Sequence, residues 1–575
     1  MTPSSKDHGA GDRTPAIVWV LLAVLTLMAG ALRFAGIERQ LPYSPEPDDY
    51  LVVQLVQLEA GVPVEERMNK FRSYPLLLAS LARLVPAVAS AAPDAPLDAQ
   101  LRAAAEPTLR MRWLIAVLAT LGVPLLFAVA RAFFDPWPAL LAAGWFATSF
   151  NHLMFSQQAR PHAAHATLVL LAFVAALALV RRPGLVRSLA LGGACALACA
   201  TLQTGAFTLL PLVAAHVLSR STTDPAWRRK RWWGLLLALV VAVGLAALFV
   251  PAEQKQESSV SLQELAAEDT QVRQDGHRFE LAKLNGQGFK RGFRQVFLHD
   301  PVLLVAGCLG LFLLLPRWRS GVRDPRVLVL AAHAVPYGLL WGMYAWVYDR
   351  YWLPLYPELA LLATAFAVWI AKRAARREVV LAIVAVLLLA FPIVVVARFT
   401  VLARRPDTVR EATDWLTRAA GGAPATVLVT PQLNLPVVYS VVPDDVVPDW
   451  KRAQAWLLRQ RQIPPAASVG PRLAVRNLPL EATSSDAATA QAIVEQLFAE
   501  LRPRYVVIEA TRWNRWITLS SVLWGAAVAR GEPVFASAGE EDGMRSSFYQ
   551  NIPAPIPRLF ALDRLGPRIE VYELR

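Results

Sequence analysis

Residues 166–203 read ATLVLLAFVAALALVRRPGLVRSLALGGACALACATLQ, two apolar stretches on either side of Arg181, Arg182 and Arg187. A bilayer core of about 30 Å takes about 20 apolar residues of helix, and each stretch approaches that length. The three arginines, with no acid between them, mark a short loop held on the cytoplasmic side. Similar apolar runs lie at 16–36, 113–131, 136–155, 204–218, 232–250, 301–316, 327–347, 353–371 and 378–397, eleven in all. The chain has 575 residues, 55% of them hydrophobic, and a mean hydropathy of +0.38. An ordinary soluble enzyme and a disordered chain are both excluded.

The formal net charge of +14 invites a nucleic-acid reading, but Arg and Lys punctuate apolar runs instead of covering a soluble face. Loop 220–231 has five basic residues against Asp224, loop 317–326 four against Asp324, and loop 372–377 four, followed by Glu378. With the N-terminus inside and eleven spans, all four basic loops are cytoplasmic, as short Lys/Arg-rich loops require. A further apolar run, 74–92, carries Arg83 and Pro86. Counting it as a span would invert every basic loop, so it is expected to be a re-entrant or surface helix. Residues 16–36 lack a small-residue cleavage site, so no cleavable signal peptide is expected.

The predicted fold is an α-helical polytopic membrane protein with about eleven transmembrane helices and a C-terminal extracytoplasmic α/β domain. Residues 1–15 form a cytoplasmic tail, 16–403 the membrane domain and 404–575 the soluble domain. Within the membrane domain, 37–112 is a first external loop with surface helices and 251–300 a long external loop. In the tail, 407–420 has helical periodicity and ends at Gly421-Gly422, 426–430 and 505–509 are compact strand-like runs, and 487–501 is a second amphipathic helix. The three cysteines, Cys195, Cys199 and Cys308, fall inside apolar runs without metal-ligand spacing to His. No internal repeat marks the inverted architecture of many transporters.

Three external segments carry candidate chemistry. The first holds Glu46-Pro47-Asp48-Asp49-Tyr50. Asp48 or Asp49 can cap a surface helix, or a partly desolvated carboxylate can serve as a general base, and the two roles are compatible. Glu46 and Asp48 also form an acid-x-acid pair of the kind that holds a divalent metal, a weak signal. The second reads Gln157-Gln158-Ala159-Arg160-Pro161-His162-Ala163-Ala164-His165. Arg160 suits a phosphate or a lipid headgroup, while His162 and His165 lack the further ligands of a zinc site. The third, Tyr348-Asp349-Arg350-Tyr351-Trp352-Leu353-Pro354-Leu355-Tyr356-Pro357-Glu358, combines interfacial aromatics with Arg350 and Glu358. Ionisable groups there line a cavity or pair with each other. Lys70, Arg72 and Arg83 follow the acidic motif, and Lys290, Arg291 and Arg294 precede the eighth span, where headgroup contact is the simple reading.

In this order, the three segments resemble the polytopic glycosyltransferases of the C-type fold, in the bacterial branch related to protein O-mannosyltransferases and lipid A aminoarabinose transferases. Arg33 through Pro47-Asp48-Asp49-Tyr50 is similar to the family's opening Arg and Pro-Asp-Glu-x-x-Tyr motif, with Asp49 where Glu is common. Gln158-Ala159-Arg160-Pro161-His162 is similar to its Ala-Arg-x-x-x-Asp loop, and 350–357 to its Arg-Tyr-x-x-Pro-x-x-Pro element. Two departures stand out. His162 and His165 occupy a turn where the family often has Asp, and Tyr74-Pro75 replaces Pro-Pro, leaving Lys70 or Arg72 as substitute phosphate binders.

The resemblance implies a transferase at the outer face of the cell membrane, using a polyprenyl-phosphate-linked sugar donor and an extracytoplasmic acceptor that is protein, lipid or polysaccharide. Asp48 becomes the candidate base with Asp49 in support, Arg160, Arg350, Arg72 and Lys70 the donor-phosphate contacts, and Tyr50, His162, His165, Tyr351 and Glu358 the substrate groove. Its partners are then the donor, the acceptor and membrane lipids, with no nucleic acid. No cofactor is called for, and a divalent metal is left open. The rival reading is a binding or transport protein for polyprenyl phosphate or a sugar lipid, which would carry charges deep in several spans. Here His216, His333 and Glu358 are nearly the whole inventory.

Overall fold

The computed structural model describes residues 14–41, 50–61, 75–87, 97–219, 225–249, 271–274, 277–280, 283–319, 324–421, 425–430, 433, 435, 473–477, 486–512, 518–542 and 546–575. The membrane part contains α1 (Ala16–Phe34), α2 (Tyr50–Glu59), α3 (Leu77–Ala82), α4 (Leu97–Ala130), α5 (Pro136–Thr148), α6 (Phe150–Ser156), α7 (His162–Arg181), α8 (Leu185–Thr201), α9 (Leu209–Leu218) and α10 (Pro225–Ala247). After the hairpin of β1 (Gln271–Gln274) and β2 (His277–Glu280) come α11 (Gln287–His299), α12 (Pro301–Arg319), α13 (Pro325–Met343), α14 (Tyr356–Ala371) and α15 (Arg377–Ala403).

Each of the eleven apolar runs falls on helix, and the chain is a multi-pass membrane protein. Seven helical segments among the described residues are long and apolar enough to cross a bilayer, and three shorter apolar helices accompany them. Run 136–155 is broken at Ser149 into α5 and α6, and run 204–218 starts as a 3-10 turn at Gln203–Thr208. Within 74–92 the described helix is only Leu77–Ala82, and its buried residues Leu77, Leu78, Ala79 and Ala82 seat it on neighbouring helices. At 1.5 Å per residue such a helix rises only ~9 Å.

Apolar residues face outward along the bundle because lipid, unlike water, imposes no cost on them. Leu27, Leu121, Val240, Phe312 and Leu387 are all exposed, while Ala and Gly fill the helix contacts. At Gly192 an added Cβ would lie 2.4 Å from the carbonyl oxygen of Ala238, so α8 and α10 meet backbone to backbone. At one end of the bundle Arg326 donates to the carbonyl of Ala132 and lies over the Phe133 ring, which ties the turn after α4 to the first turn of α13.

The opposite end carries the C-terminal domain: α16 (Thr408–Ala419), β3 (Ala425–Val429), β4 (Leu473–Asn477), α17 (Ala487–Leu501), β5 (Tyr505–Glu509), α18 (Thr518–Arg530), β6 (Gly531–Ser537), α19 (Ile556–Ala561) and β7 (Ile569–Leu574). Its sheet runs β4-β3-β5-β7-β6, with β3 parallel to β4 and β5, and β7 antiparallel to β5 and β6. Strand alternation divides the core. Val506 and Ile508 face α17 and α18, whereas Tyr505 and Val507 join one cluster with Phe150, Leu153, Met154 and Phe399 of the membrane part. The domain therefore shares a core with the bundle.

Polar contacts close that junction. Arg39 donates to Asn551 Oδ1 at 2.9 Å and lies over the Phe399 ring, Gln40 donates to the carbonyl of Tyr549, and Arg398 donates to that of Leu562. Glu540 is buried beside them and accepts the Tyr549 amide at 2.9 Å. Burial pushes its carboxyl up to about 7, against hydrogen bonds from Ser547 and Tyr549 and the charge of Arg39. A raised folded pKa means that the folded state binds the proton more tightly than the unfolded one. The Glu540 contribution is thus full below the ordinary glutamate range and is lost as pH rises towards about 7. The thermal midpoint of the purified protein is expected to fall more steeply from about pH 5 to about pH 8 than that of Glu540→Gln. Equal slopes in the two proteins would assign the effect to other groups.

Candidate active site at the domain-bearing end of the bundle

The break at Ser149 creates the site. Ser149 has extended backbone, and its Oγ accepts the His152 amide at 3.2 Å, capping α6. The same hydroxyl donates to Asp300 Oδ2 at 3.0 Å, and the Phe150 and Asn151 amides donate to Asp300 at 2.8 and 3.1 Å. A carboxylate from the α11–α12 junction therefore satisfies the first amides of α6, which the broken helix leaves without partners. Burial raises the Asp300 carboxyl to about 6, against those hydrogen bonds. Asp300→Ala strands three donors in a buried place and is expected to cost about 3 kcal/mol or more, read as a lower thermal midpoint in detergent. An unchanged midpoint would show that α6 holds itself.

Arg33 steadies α6 from the other side. It is fully buried, and its guanidinium donates to the carbonyls of Ala29 and Phe146 while its Nη2 lies 3.0 Å from His152 Nδ1. The first arginine of the motif series is thus an interior clamp.

The turn after α6 presents Arg160, and the 3-10 helix Asp349–Leu355 presents Arg350. Tyr337 fixes the second element by donating its hydroxyl to the Tyr351 carbonyl at 2.9 Å, and Tyr351 stacks on Trp341 with centroids 4.4 Å apart. Arg350 lies over the Tyr348 and Tyr351 rings at 4.4 and 5.2 Å. The two turns meet where the His162 ring lies 5.7 Å from that of Tyr351. Asp349 is buried beside them, and its Oδ1 accepts the Arg350 amide at 2.9 Å. Asn151 Nδ2 reaches the Asp349 carbonyl and the Tyr356 hydroxyl at 3.4 and 3.1 Å. His299 Nδ1 lies 3.7 Å from Asp349 Oδ2, beyond hydrogen-bond reach, and burial lowers the imidazole to about 3, so it is neutral.

Among the described residues, several buried polar atoms here make no hydrogen bond to protein: both amide atoms of Gln158, Asn151 Oδ1, Asp349 Oδ2 and both nitrogens of His299. Such atoms are rare in folded proteins, where water or a bound polar group satisfies them. Among the described residues no group of three His, Cys, Asp or Glu is arranged to hold a metal ion.

The structure brings together Arg160, His162, Arg350 and Tyr351, with the His162 ring 5.7 Å from that of Tyr351. His165 and Glu358 have other neighbours. Glu358 accepts from His333 Nδ1 at 2.8 Å, and His165 Nε2 lies 3.5 Å from Thr204 Oγ1. Tyr50 opens α2, which packs on α3 and α4. Asp48, Asp49, Lys70 and Arg72 lie outside the described residues. The sequence reading passed over Asp349, Asp300, His299 and Asn151. Two of them carried a signal, since Asp300 directly precedes an apolar run and Asp349 sits beside Arg350 at another, where acids are costly without a purpose.

The chain path resembles those of solved glycosyltransferases. The oligosaccharyltransferase of Archaeoglobus fulgidus is 12% identical over 90% of this chain and 73% of its own, with a TM-score of 0.48. ArnT from Cupriavidus metallidurans is 14% identical over 94% of this chain and 86% of its own, with a TM-score of 0.42. The mycobacterial arabinofuranosyltransferase AftD is 16% identical over 98% of this chain and 42% of its own, at 0.41. No family model and no curated protein matches the sequence. At these values the overlap is one of chain path and assigns no substrate or residue role.

Proposed function

We propose that the protein is a membrane glycosyltransferase that moves a sugar from a polyprenyl-phosphate-linked donor to an acceptor outside the cytoplasm. One observation carries this reading: the turns that bear Arg160 and Arg350, far apart in sequence, pack together at the domain-bearing end of the bundle, with the His162 ring 5.7 Å from the Tyr351 ring and the Arg350 guanidinium 5.2 Å from that same ring. Two guanidinium groups on adjoining turns suit an oxyanion, and a lipid phosphate leaves as an anion that needs cations more than a general acid. The resemblance of the three loop motifs supports the same reading, and the four basic loops, cytoplasmic by the positive-inside rule, support an outer position for that end of the bundle.

In the proposed reaction Asp48 takes the proton of an acceptor hydroxyl or amine. The acceptor atom attacks the anomeric carbon, its new bond forms as the bond from that carbon to the phosphate oxygen breaks, and the lipid phosphate departs towards Arg160 and Arg350. A single displacement of this kind inverts the configuration, and one carboxylate suffices, unlike the pair used by most glycosidases. Asp349 is a positioning residue that fixes the start of the turn bearing Arg350 by accepting the Arg350 amide.

Mass spectrometry of envelope glycans and glycoproteins tests the proposal in three strains: a deletion, the deletion with the wild-type chain, and the deletion with Asp48→Asn. A sugar lost in the deletion, restored by the wild type and absent with Asp48→Asn supports it. Restoration by Asp48→Asn, or movement of a sugar lipid in proteoliposomes with no new glycosidic bond, overturns it.

A further inference from the structure

Helix α11 has a surface that the transfer reaction does not use. Its sequence, QGFKRGFRQVFLH, divides the helix into three faces. Gly288, Gly292, Val296 and His299 are buried against the protein. Phe289, Phe293 and Phe297, spaced four apart, form the next stripe and are 36%, 52% and 54% exposed. Lys290 and Arg294 follow on the far side of that stripe and are exposed as well.

The glycines explain how the helix is seated. A Cβ at Gly288 would lie 2.1 Å from the Trp341 carbonyl oxygen, and one at Gly292 would lie 2.1 Å from the Trp352 ring. Only bare backbone lets α11 lie across the end of α13 and the 3-10 helix. Gln295 then donates to the Val347 carbonyl at 3.1 Å, and Arg291 donates to that of Ala345. Phe289 lies over Gly342, so the phenylalanine stripe continues the outward apolar surface of Val335, Leu339 and Met343 on α13. Beside it, exposed Trp346 carries Lys283 Nζ 3.7 Å from its ring centre.

Three phenylalanines in a row are foreign to a water-facing surface, and their continuity with a spanning helix puts them at the edge of the hydrocarbon. The order of faces, protein then apolar then basic, is that of a helix lying flat in the interface, with the aromatic-belt residue Trp346 at the same level. We propose that α11 lies in the plane of the bilayer interface and that Lys290 and Arg294 hold the headgroups of anionic phospholipids. Cations at this depth select anionic over zwitterionic headgroups by charge. The inference needs the membrane seating of the bundle but not the transferase activity. Its consequence is local, because α11 ends at His299 and Asp300, so the lipid seat steadies the helix that delivers Asp300 to α6.

A bimane label at Gln287→Cys, in a full-length Cys308→Ser background, reads this surface directly. The labelled protein is reconstituted in phosphatidylcholine vesicles with equal fractions of doxyl-labelled phosphatidylglycerol or doxyl-labelled phosphatidylcholine. Phosphatidylglycerol is expected to quench at least about twofold more, with the preference lost in Lys290→Gln/Arg294→Gln and kept in Lys290→Arg/Arg294→Lys. Equal quenching by the two lipids, or a preference that survives neutralisation, overturns the proposal. Quenching by neither lipid also overturns it, since the helix would then stand off the bilayer. A preference seen only with added undecaprenyl phosphate would assign the cations to the donor instead.

Discussion

Asp48→Asn is expected to lower sugar transfer by about 10²–10⁴-fold while leaving the amount of folded protein in the membrane unchanged. The substitution keeps the size and polarity of the side chain and removes only its capacity to take a proton. Asn is also a good helix cap, so the variant preserves the alternative role of Asp48 at the start of α2. The two roles therefore separate. If Asp48 is only a cap, Asn restores it and turnover stays near normal; if it is the base, turnover falls with stability intact. The measurement is initial transfer rate per folded protein in proteoliposomes, beside the thermal midpoint of the same sample. Asp49→Asn in the same assay is expected to have the smaller effect, because Asp49 is assigned a supporting part.

Arg350→Ala is expected to slow transfer by about 10²–10³-fold, as loss of a preorganised charge at a developing anion does elsewhere. Arg160→Ala is expected to fall in the same range. Because the proposed reaction places both guanidinium groups on one phosphate, the double variant should cost less than the product of the single losses. Arg350→Lys is the sharper probe. It keeps the charge but removes the planar fork and weakens the contact with Tyr348 and Tyr351, which lie 4.4 and 5.2 Å from the guanidinium. Partial activity in Arg350→Lys with none in Arg350→Ala fits a phosphate contact. Full activity in both would remove Arg350 from the site and leave it as packing for the two tyrosines.

The helices were readable because the membrane acts on each segment separately. An apolar run near the length of the bilayer core is committed to helix by its own composition, and all eleven runs lie on helix. Local rules also read the C-terminal domain well. The helix expected at 407–420 is α16 (Thr408–Ala419), with Asp407 capping the Arg410 amide at 2.8 Å, and the run 505–509 is strand β5. The break inside run 136–155 was not readable. Its cause is shared between Ser149, which is local, and Asp300, which lies 151 residues later in the chain.

The same distinction holds at the site. Arg160 and Arg350 were legible as cations at span boundaries, where charge is costly enough to need a reason. Asp349 was hidden next to Arg350, since an acid beside an arginine in sequence reads as local neutralisation. Only packing brings the Arg160 turn against the Arg350 turn, through His162 and Tyr351. Glu358 was legible as a group that pairs or lines a cavity, but its partner His333 lies 25 residues away on a neighbouring helix.

The sequence by itself determined a polytopic helical protein, its basic loops and three segments with candidate chemistry, because hydropathy, charge and capping act over a few residues. Tertiary structure alone decided that the Arg160 and Arg350 turns pack together, that Asp300 closes α6, and that the C-terminal sheet shares a core with the bundle. Each of these needs groups from distant segments to come within hydrogen-bond or van der Waals reach, and only the packing of whole helices sets those distances.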